Sequence, residues 1–426
     1  MSDIIIKNGR VIDPASGLDE ITDILISKGV IAGISKNMKA DKAKIVDAKG
    51  FIVAPGFIDL HVHFREPGFE YKETIETGAR SAAAGGFTSV CCMANTSPVN
   101  DNGTVTASII EKGESAGSCR VYPIGAVTKG LNGKELAEIG EMKEAGIVAL
   151  SDDGRCVTSP TIIRNAMEYG SMFGLTVVEH CEDSSAKGGI INEGEISARF
   201  GIKGIPSTAE SSVAARNILI SQYTGVPVHL AHISVKETVE AVRDAKASGI
   251  KVTCEVAPHH FILTEKELAG LNSNYKMNPP LRAEEDLQAI RKGIADGTID
   301  CIATDHAPHA EWEKETEIDI APFGVVGLET ALPLALRLVD DGLITLTQMI
   351  ALFTNRPASI FNLPGGSLAK GAPADICIFD AERVWKVQPE KFFSKGRNTP
   401  FKGAEMKGQN LITIVGGNIV YNSADL

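Results

Sequence analysis

From residue 52 onward two patterns alternate along the chain. Short apolar runs rich in β-branched residues are IVAPGFIDLHVH (52–63), GFTSVCCMANT (86–96), RVYPIGAVT (120–128), GIVALSDDG (146–154), LTVVEHCED (175–183), PVHLAHIS (227–234), KVTCEVAPHH (251–260) and DCIATDHAPH (300–309). Between them lie stretches such as ETIETGARSAAAG and SVKETVEAVRDAKASG, whose apolar positions recur at helical spacing. Strands and helices in strict alternation predict an α/β protein built on a parallel (β/α)8 TIM barrel. The two ends are different. Residues 1–51 read as short strands and turns, with Asn8-Gly9 as a hairpin signal. Residues 366–426 return to that style in KGAPADICIFD and LITIVGGNIVYN. The expectation is a catalytic barrel over 52–365 beside one small β domain made from both ends, 1–51 plus 366–426.

Composition narrows the function classes. The 426 residues are 43% hydrophobic and 23% charged, as in soluble globular proteins. Net charge is −12 and no basic block stands out, which argues against nucleic acid and anionic membrane surfaces as partners. An acidic protein that binds an acidic small molecule must place its cations locally. The N-terminus MSDIIIKNGRVIDP lacks the long apolar core of a signal peptide, and no apolar run approaches the roughly 20 residues of a membrane helix. Cysteines 91, 92, 119, 156, 181, 254, 301 and 377 show no CxxC spacing. They read as reduced, buried thiols of a cytoplasmic protein.

The chemistry gathers at the C-terminal ends of the predicted strands. The first ends in His61 and His63, the fourth in Asp152-Asp153, the fifth in His180, the sixth in His232 and the eighth in Asp305. A barrel brings those ends to one face, where its active sites are built. In a strand, residues i, i+2 and i+4 share a face, so Asp59, His61 and His63 point the same way. A lone histidine is most often a hydrogen-bonded structural residue. Imidazoles and carboxylates recurring at strand ends around a whole barrel match a zinc-type ligand set instead. Asp152 and Asp153 are neighbours and cannot both point inward, and His229, three positions from His232, should face the other way and be structural. His259, His260 and His306 are left open by the pattern. Asp59, one step deeper than His61, is expected to orient an imidazole. Cys181 reads as an inert thiol.

HFREPG, CMANT, SDDG, VEHCED, AHIS, MNPPLR, ATDHAPH and the late NTPFKG together resemble the type I, bacterial-type dihydroorotase family of the amidohydrolase superfamily. The resemblance spans nearly the whole chain. It implies a metal-dependent hydrolase barrel with a small β-sandwich formed by both termini. It also implies that His61, His63 and Asp305 hold one zinc, that His180 and His232 hold a second, and that Asp153 is shared, with one or two ions per chain. Hydantoinases and dihydropyrimidinases resemble the chain too, but they carry a carbamylated lysine where SDDG offers Asp153. By the same resemblance Arg65, Asn95, Asn278, His309, Phe323 and Gly324 surround the substrate together with His63. An arginine just past a strand-end ligand can clamp a carboxylate through two parallel hydrogen bonds. The charged stretch AEWEKETEIDIA (310–321) is expected to be a mobile loop over the site.

The activity implied is the reversible, zinc-dependent interconversion of (S)-dihydroorotate and N-carbamoyl-L-aspartate in de novo pyrimidine (UMP) biosynthesis. Zinc-bound hydroxide would be the nucleophile and Asp305 the general base and acid. The expected partner is the small-molecule substrate, with a homodimer and a complex with aspartate transcarbamoylase as family expectations. Two alternatives stand beside it: a hydantoinase- or allantoinase-type cyclic amidohydrolase, and a non-catalytic barrel that serves aspartate transcarbamoylase as a scaffold.

Overall fold

The first barrel strand begins at Phe57, where a buried aromatic plug closes the floor. In this computed structural model Phe57 stacks on Phe353 with ring centroids 5.1 Å apart and meets Phe87 edge-on at 5.7 Å. Residues 3–40, 42–186 and 188–423 are described; residues 1, 2, 41, 187 and 424–426, among them the outer ends of the two terminal stretches, lie outside the described residues. The barrel strands are Phe57–Val62, Phe87–Cys92, Arg120–Pro123, Ala149–Leu150, Thr176–Glu179, Val228–Leu230, Val252–Val256 and Cys301–Ile302. Neighbours pair in parallel. Parallel bridges from Gly125 to Leu150 and from Val62 to His306 join the two arcs and close the ring. The strand pattern read from the sequence is thus present around the whole barrel.

Local signals explain the helices between strands. Thr74 caps Ile75–Ala84 in a capping box with Thr77, and Asn102 accepts from the Thr104 and Val105 N–H groups to start Gly103–Ala116. Ser159 caps Pro160–Ser171, with the proline in the first turn where its missing N–H costs nothing. Both helical stretches singled out above appear, as Ile75–Ala84 and Lys236–Ala247.

The run 52–63 is not one strand. Ile52–Pro55 pairs antiparallel with Ile376–Lys386 and parallel with Ile4–Asp13, and the chain enters the barrel only after Gly56. A Cβ on Gly56 would overlap the buried Thr88 side chain, so glycine permits this close crossing. Ile52–Pro55 therefore belongs to an eight-stranded sheet that also takes Leu18–Ser27, Val30–Ser35, Lys44–Asp47, Glu405–Val415 and Asn418–Asn422. Hydrogen bonding makes it one sheet that forks at Ile4–Asp13, whose first half pairs with Lys44–Asp47 and whose second half pairs with Ile52–Pro55. It buries its own core around Ile6, Ile24, Val46, Ile376 and Ile412. Arg120 at the base of the third barrel strand reaches across to Asp375 through two hydrogen bonds of 3.0 and 3.1 Å.

Strict alternation along the first strand also fails in part. Its pairing with Phe87–Cys92 slips between Asp59 and Val62, so Leu60 joins a small cluster with Cys91 and Cys301 while Val62 joins the larger core. No helix among the described residues is long and apolar enough to cross a membrane.

Candidate active site

Asp153 stands at the centre of the strand ends. Its carboxylate oxygens lie 3.4 Å from His61 Nε2, 3.4 Å from His63 Nε2, 3.6 Å from His180 Nδ1 and 3.4 Å from His232 Nε2. Asp305 Oδ1 is 3.1 Å from His63 Nε2 and 3.7 Å from His61 Nε2. His180 Nδ1 and His232 Nε2 are 3.0 Å apart. The side chains expected from sequence to ligate metal therefore meet at one point, and all are buried. Two overlapping groups emerge, His61 with Asp153 and His232, and His61 with His63 and Asp305.

Donor spacing tests whether a metal fits. Ligands about 2.0–2.2 Å from a tetrahedral ion lie about 3.3–3.6 Å from one another; the Asp153–imidazole separations of 3.4–3.6 Å fall in that range, and the other pairs, at 3.0–3.7 Å, lie close to it. His61 Nε2 is buried and makes no hydrogen bond among the described residues, although two carboxylates face it. An imidazole nitrogen so placed is free to be offered to a cation. Burial opposes ionisation of Asp153, but the charge on His61 and hydrogen bonds from His180 and His232 outweigh it, and the carboxyl sits well below its usual range. Asp305 is likewise held low against burial by the hydrogen bond from His63 and the charges of His61, His63 and His232. Both aspartates are carboxylates ready to bind.

Backbone geometry at the site is unusual. Arg65, His232 and Asp305 adopt φ of 61°, 30° and 48°, a left-handed conformation that non-glycine residues rarely take. Each costs about 1–3 kcal/mol and persists where surrounding structure enforces it. The kink at Asp305 comes three residues after the last barrel strand ends at Ile302, and its carboxylate faces His63.

The adjacent residues sort cleanly. Asp152 accepts from the Val127 and Thr128 N–H groups at 2.8 and 3.0 Å, so it anchors a loop and leaves Asp153 to the cluster. Asp59 does not hold a ring, contrary to expectation. Its Oδ1 accepts from the backbone N–H groups of His61 and Thr304 at 3.1 and 3.0 Å, tying the first strand to the eighth. The His61 ring is held by Glu255, whose Oε1 accepts from His61 Nδ1 at 2.7 Å while its Oε2 accepts from His229 Nε2 at 3.1 Å. Burial opposes the Glu255 charge, yet the hydrogen bonds from His229 and His61 bring its pKa down to about 2. The sequence reading passed over Glu255 for the neighbouring histidines, although a lone glutamate inside the apolar run KVTCEV was itself a signal. Glu182 was missed as well; it accepts from His180 Nε2 at 3.1 Å and from Asn278 Nδ2 at 2.9 Å. His229 also meets Thr253 Oγ1 at 2.8 Å, a structural placement. His306 lies 3.4 Å from Glu73 Oε2, and His260 Nε2 donates to Pro279 O at 3.0 Å. Cys181 Sγ faces Glu179 O and Asn217 Nδ2, away from the cluster, and burial raises its thiol well above the usual range.

A cavity of about 170 Å³ opens on this cluster, lined by His63, Asp153, His180, His232 and Asp305 together with Arg65, Asn95, Asn278, Phe323 and Gly324. Arg65 is not spent on a surface ion pair: Glu66 takes Lys112 and Glu70 takes the Gly68 N–H. The Arg65 guanidinium uses Nε on Pro308 O at 3.2 Å. Asn95 Oδ1 accepts from His63 Nδ1 at 3.0 Å, so it braces a cluster residue as well as lining the cavity. His309 stands behind the wall, donating Nε2–H to Phe323 O at 2.7 Å and accepting from Lys72 Nζ at 3.3 Å. Within the stretch expected to be mobile, Lys314, Ile318 and Ala321 are buried while Trp312 and Ile320 are exposed.

Comparisons with known proteins agree with this arrangement. Residues 50–238 match the Dihydro-orotase-like family, and residues 321–421 match the Amidohydrolase family. The chain is 51% identical to the dihydroorotase of Syntrophotalea carbinolica over 99% of its own length and 100% of the relative's. It is also 51% identical to that of Pelotomaculum thermopropionicum, covering 98% of each chain. Among solved structures it resembles the L-hydantoinase (dihydropyrimidinase) of Arthrobacter aurescens, with a TM-score of 0.89 and 26% identity over 100% of this chain and 97% of that one. The dihydropyrimidinase of Brevibacillus agri, at 21% identity and TM-score 0.86 over 99% of this chain and 95% of that one, shows the shared fold alone. With a closed barrel, a buried cluster of histidines and aspartates at its strand ends and full-length kinship to curated dihydroorotases, the chain belongs to the dihydroorotase family of the amidohydrolases.

Proposed function

We propose that this chain interconverts (S)-dihydroorotate and N-carbamoyl-L-aspartate, opening and closing the cyclic amide in cytoplasmic pyrimidine synthesis. One observation carries the reading: the aspartate–histidine cluster and the Arg65 guanidinium line the same small cavity. A cyclic amide with a single carboxylate needs hydrolytic chemistry at one end and a cation at the other.

The family implies a metal, and we assign it as zinc. His61, His63 and Asp305 would hold one ion, and His180 and His232 a second, with Asp153, near all four imidazoles, shared between them. When bound, zinc would lower the pKa of water toward about 7 and polarise the ring carbonyl. The protein's own groups do the rest. Arg65 takes the substrate carboxylate, and Asn95 and Asn278 present amides to the ring. Phe323 and Gly324 form the wall beside it. Asp305, held ionised, accepts a proton from the attacking water and returns it to the departing ring nitrogen. Glu255 and Glu182 keep the His61 and His180 rings turned so that one nitrogen of each faces the cluster. The barrel that begins at Phe57 carries the chemistry, and the composite end domain, which also takes Ile52–Pro55, braces it.

The hydantoinase-like reading is favoured by the fold alone. It lacks a lysine at the end of the fourth strand, where Asp153 stands. Offering the metal-loaded protein L-dihydroorotate, a 5-substituted hydantoin and allantoin in parallel separates the readings. Selective loss of dihydroorotate's ultraviolet absorbance is the expected result. Turnover of a hydantoin or allantoin without dihydroorotate would reassign the substrate, and silence on all three would favour the scaffold reading. A homodimer and a complex with aspartate transcarbamoylase belong to the same proposal, and sedimentation with and without that partner tests them.

A further inference from the structure

Lys314 lies in the most highly charged stretch near the cavity, yet its side chain is only 4% exposed. Its ammonium donates to three carbonyls, Pro322 O at 2.9 Å, Gly324 O at 3.1 Å and Lys276 O at 3.3 Å. No carboxylate is within hydrogen-bond reach among the described residues; Glu313 is turned to Lys72, 2.9 Å away. Burying an ammonium without an ionic partner is costly unless every donor is satisfied, and here three donors meet three acceptors. The carbonyls come from two segments, the Pro322–Gly324 wall and the residue that leads into Asn278. Gly324 N–H donates to Lys276 O at 3.0 Å, which joins the same segments directly. Lys276 returns the contact, donating to Ile318 O at 2.6 Å and standing 4.6 Å from the Phe323 ring centroid.

We propose that Lys314 is a positioning residue for substrate: its ammonium clamps the Phe323–Gly324 wall to the Lys276–Asn278 segment and thereby sets the width of the cavity. The inference rests on reading Phe323, Gly324 and Asn278 as substrate-facing. It also assigns the 310–321 stretch a role opposite to the one its charge suggests, as a strap held shut from beneath. Burial, together with the neighbouring Lys276 charge, pushes the Lys314 ammonium down to about 7.

The test is steady-state kinetics of the metal-loaded wild type and Lys314→Met on dihydroorotate, with metal per chain measured on each sample. Methionine keeps most of the length and volume but donates nothing. The expected result is a KM raised about tenfold or more, kcat within about threefold, and unchanged metal content. Lys314→Gln, which keeps an amide donor in the cage, should fall between the two and replaces the methionine variant should that one fail to fold. A folded variant with the wild-type KM would overturn the inference, as would a fall in kcat with KM unchanged. Wild-type silence on dihydroorotate would overturn the functional reading itself, and this inference with it.

Discussion

At the scale of single residues, the account depends on which groups are charged and where they point. Asp305 is the proposed proton carrier, so Asp305→Asn should lower kcat by a factor of about a thousand or more while circular dichroism stays unchanged. Turnover near the wild-type level would remove Asp305 from that role. Arg65→Ala should act mainly on binding, raising KM for dihydroorotate about a hundredfold, with little effect on any uncharged cyclic imide the enzyme accepts. A kcat loss equal for both substrates would contradict the clamp. Glu255 holds the His61 ring, so Glu255→Ala should weaken metal binding about 10–100-fold in competition with a chelator, a readout independent of turnover. These residues were unequally legible. His61, His63, His180, His232 and Asp305 stood out because imidazoles and carboxylates at strand ends have few structural uses. Glu255 and Lys314 did not, because the partners of the first are distant in sequence and those of the second are backbone carbonyls that no residue pattern marks; Glu182 stands only two residues from His180, inside VEHCED, and that spacing went unread.

At the scale of elements, the alternation of strand and helix was visible because a parallel strand reads as an apolar run and a surface helix as an amphipathic one. The division of 52–63 was hidden. IVAP and FIDLHV are equally apolar, and only the neighbours across the sheet reveal that one joins Ile4–Asp13 and the other starts the barrel. Gly56 is the crossing point, and Gly56→Ala should cost about 1–3 kcal/mol as the new methyl forces Thr88 aside. Denaturant unfolding checks this; a midpoint equal to wild type would mean that the crossing has slack. The strap shows the reverse error. AEWEKETEIDIA reads as solvated by composition, yet Glu311–Lys314 is a helical turn with its lysine buried.

At the scale of the whole molecule, an acidic protein with net charge −12 places the Arg65 cation in the wall of the cavity. That local charge suits a substrate carrying a carboxylate, whereas the overall charge repels such anions from the rest of the surface. Ring closure turns a dianion into a monoanion and takes up a proton. Lowering the pH by one unit should therefore shift the equilibrium about tenfold toward dihydroorotate, whichever direction is assayed. The apolar cores of the barrel and the composite sheet are built from many side chains besides those of the histidine–aspartate cluster, so the barrel should survive metal removal. The most direct test is to strip metal with a chelator and then titrate zinc back, following bound zinc per chain and dihydroorotate turnover together. The account predicts a folded, inactive apoprotein whose turnover rises in step with bound zinc, and an Asp305→Asn variant that stays inactive at every zinc level. Turnover by the metal-free protein, or a fully loaded protein that leaves dihydroorotate untouched, would contradict it.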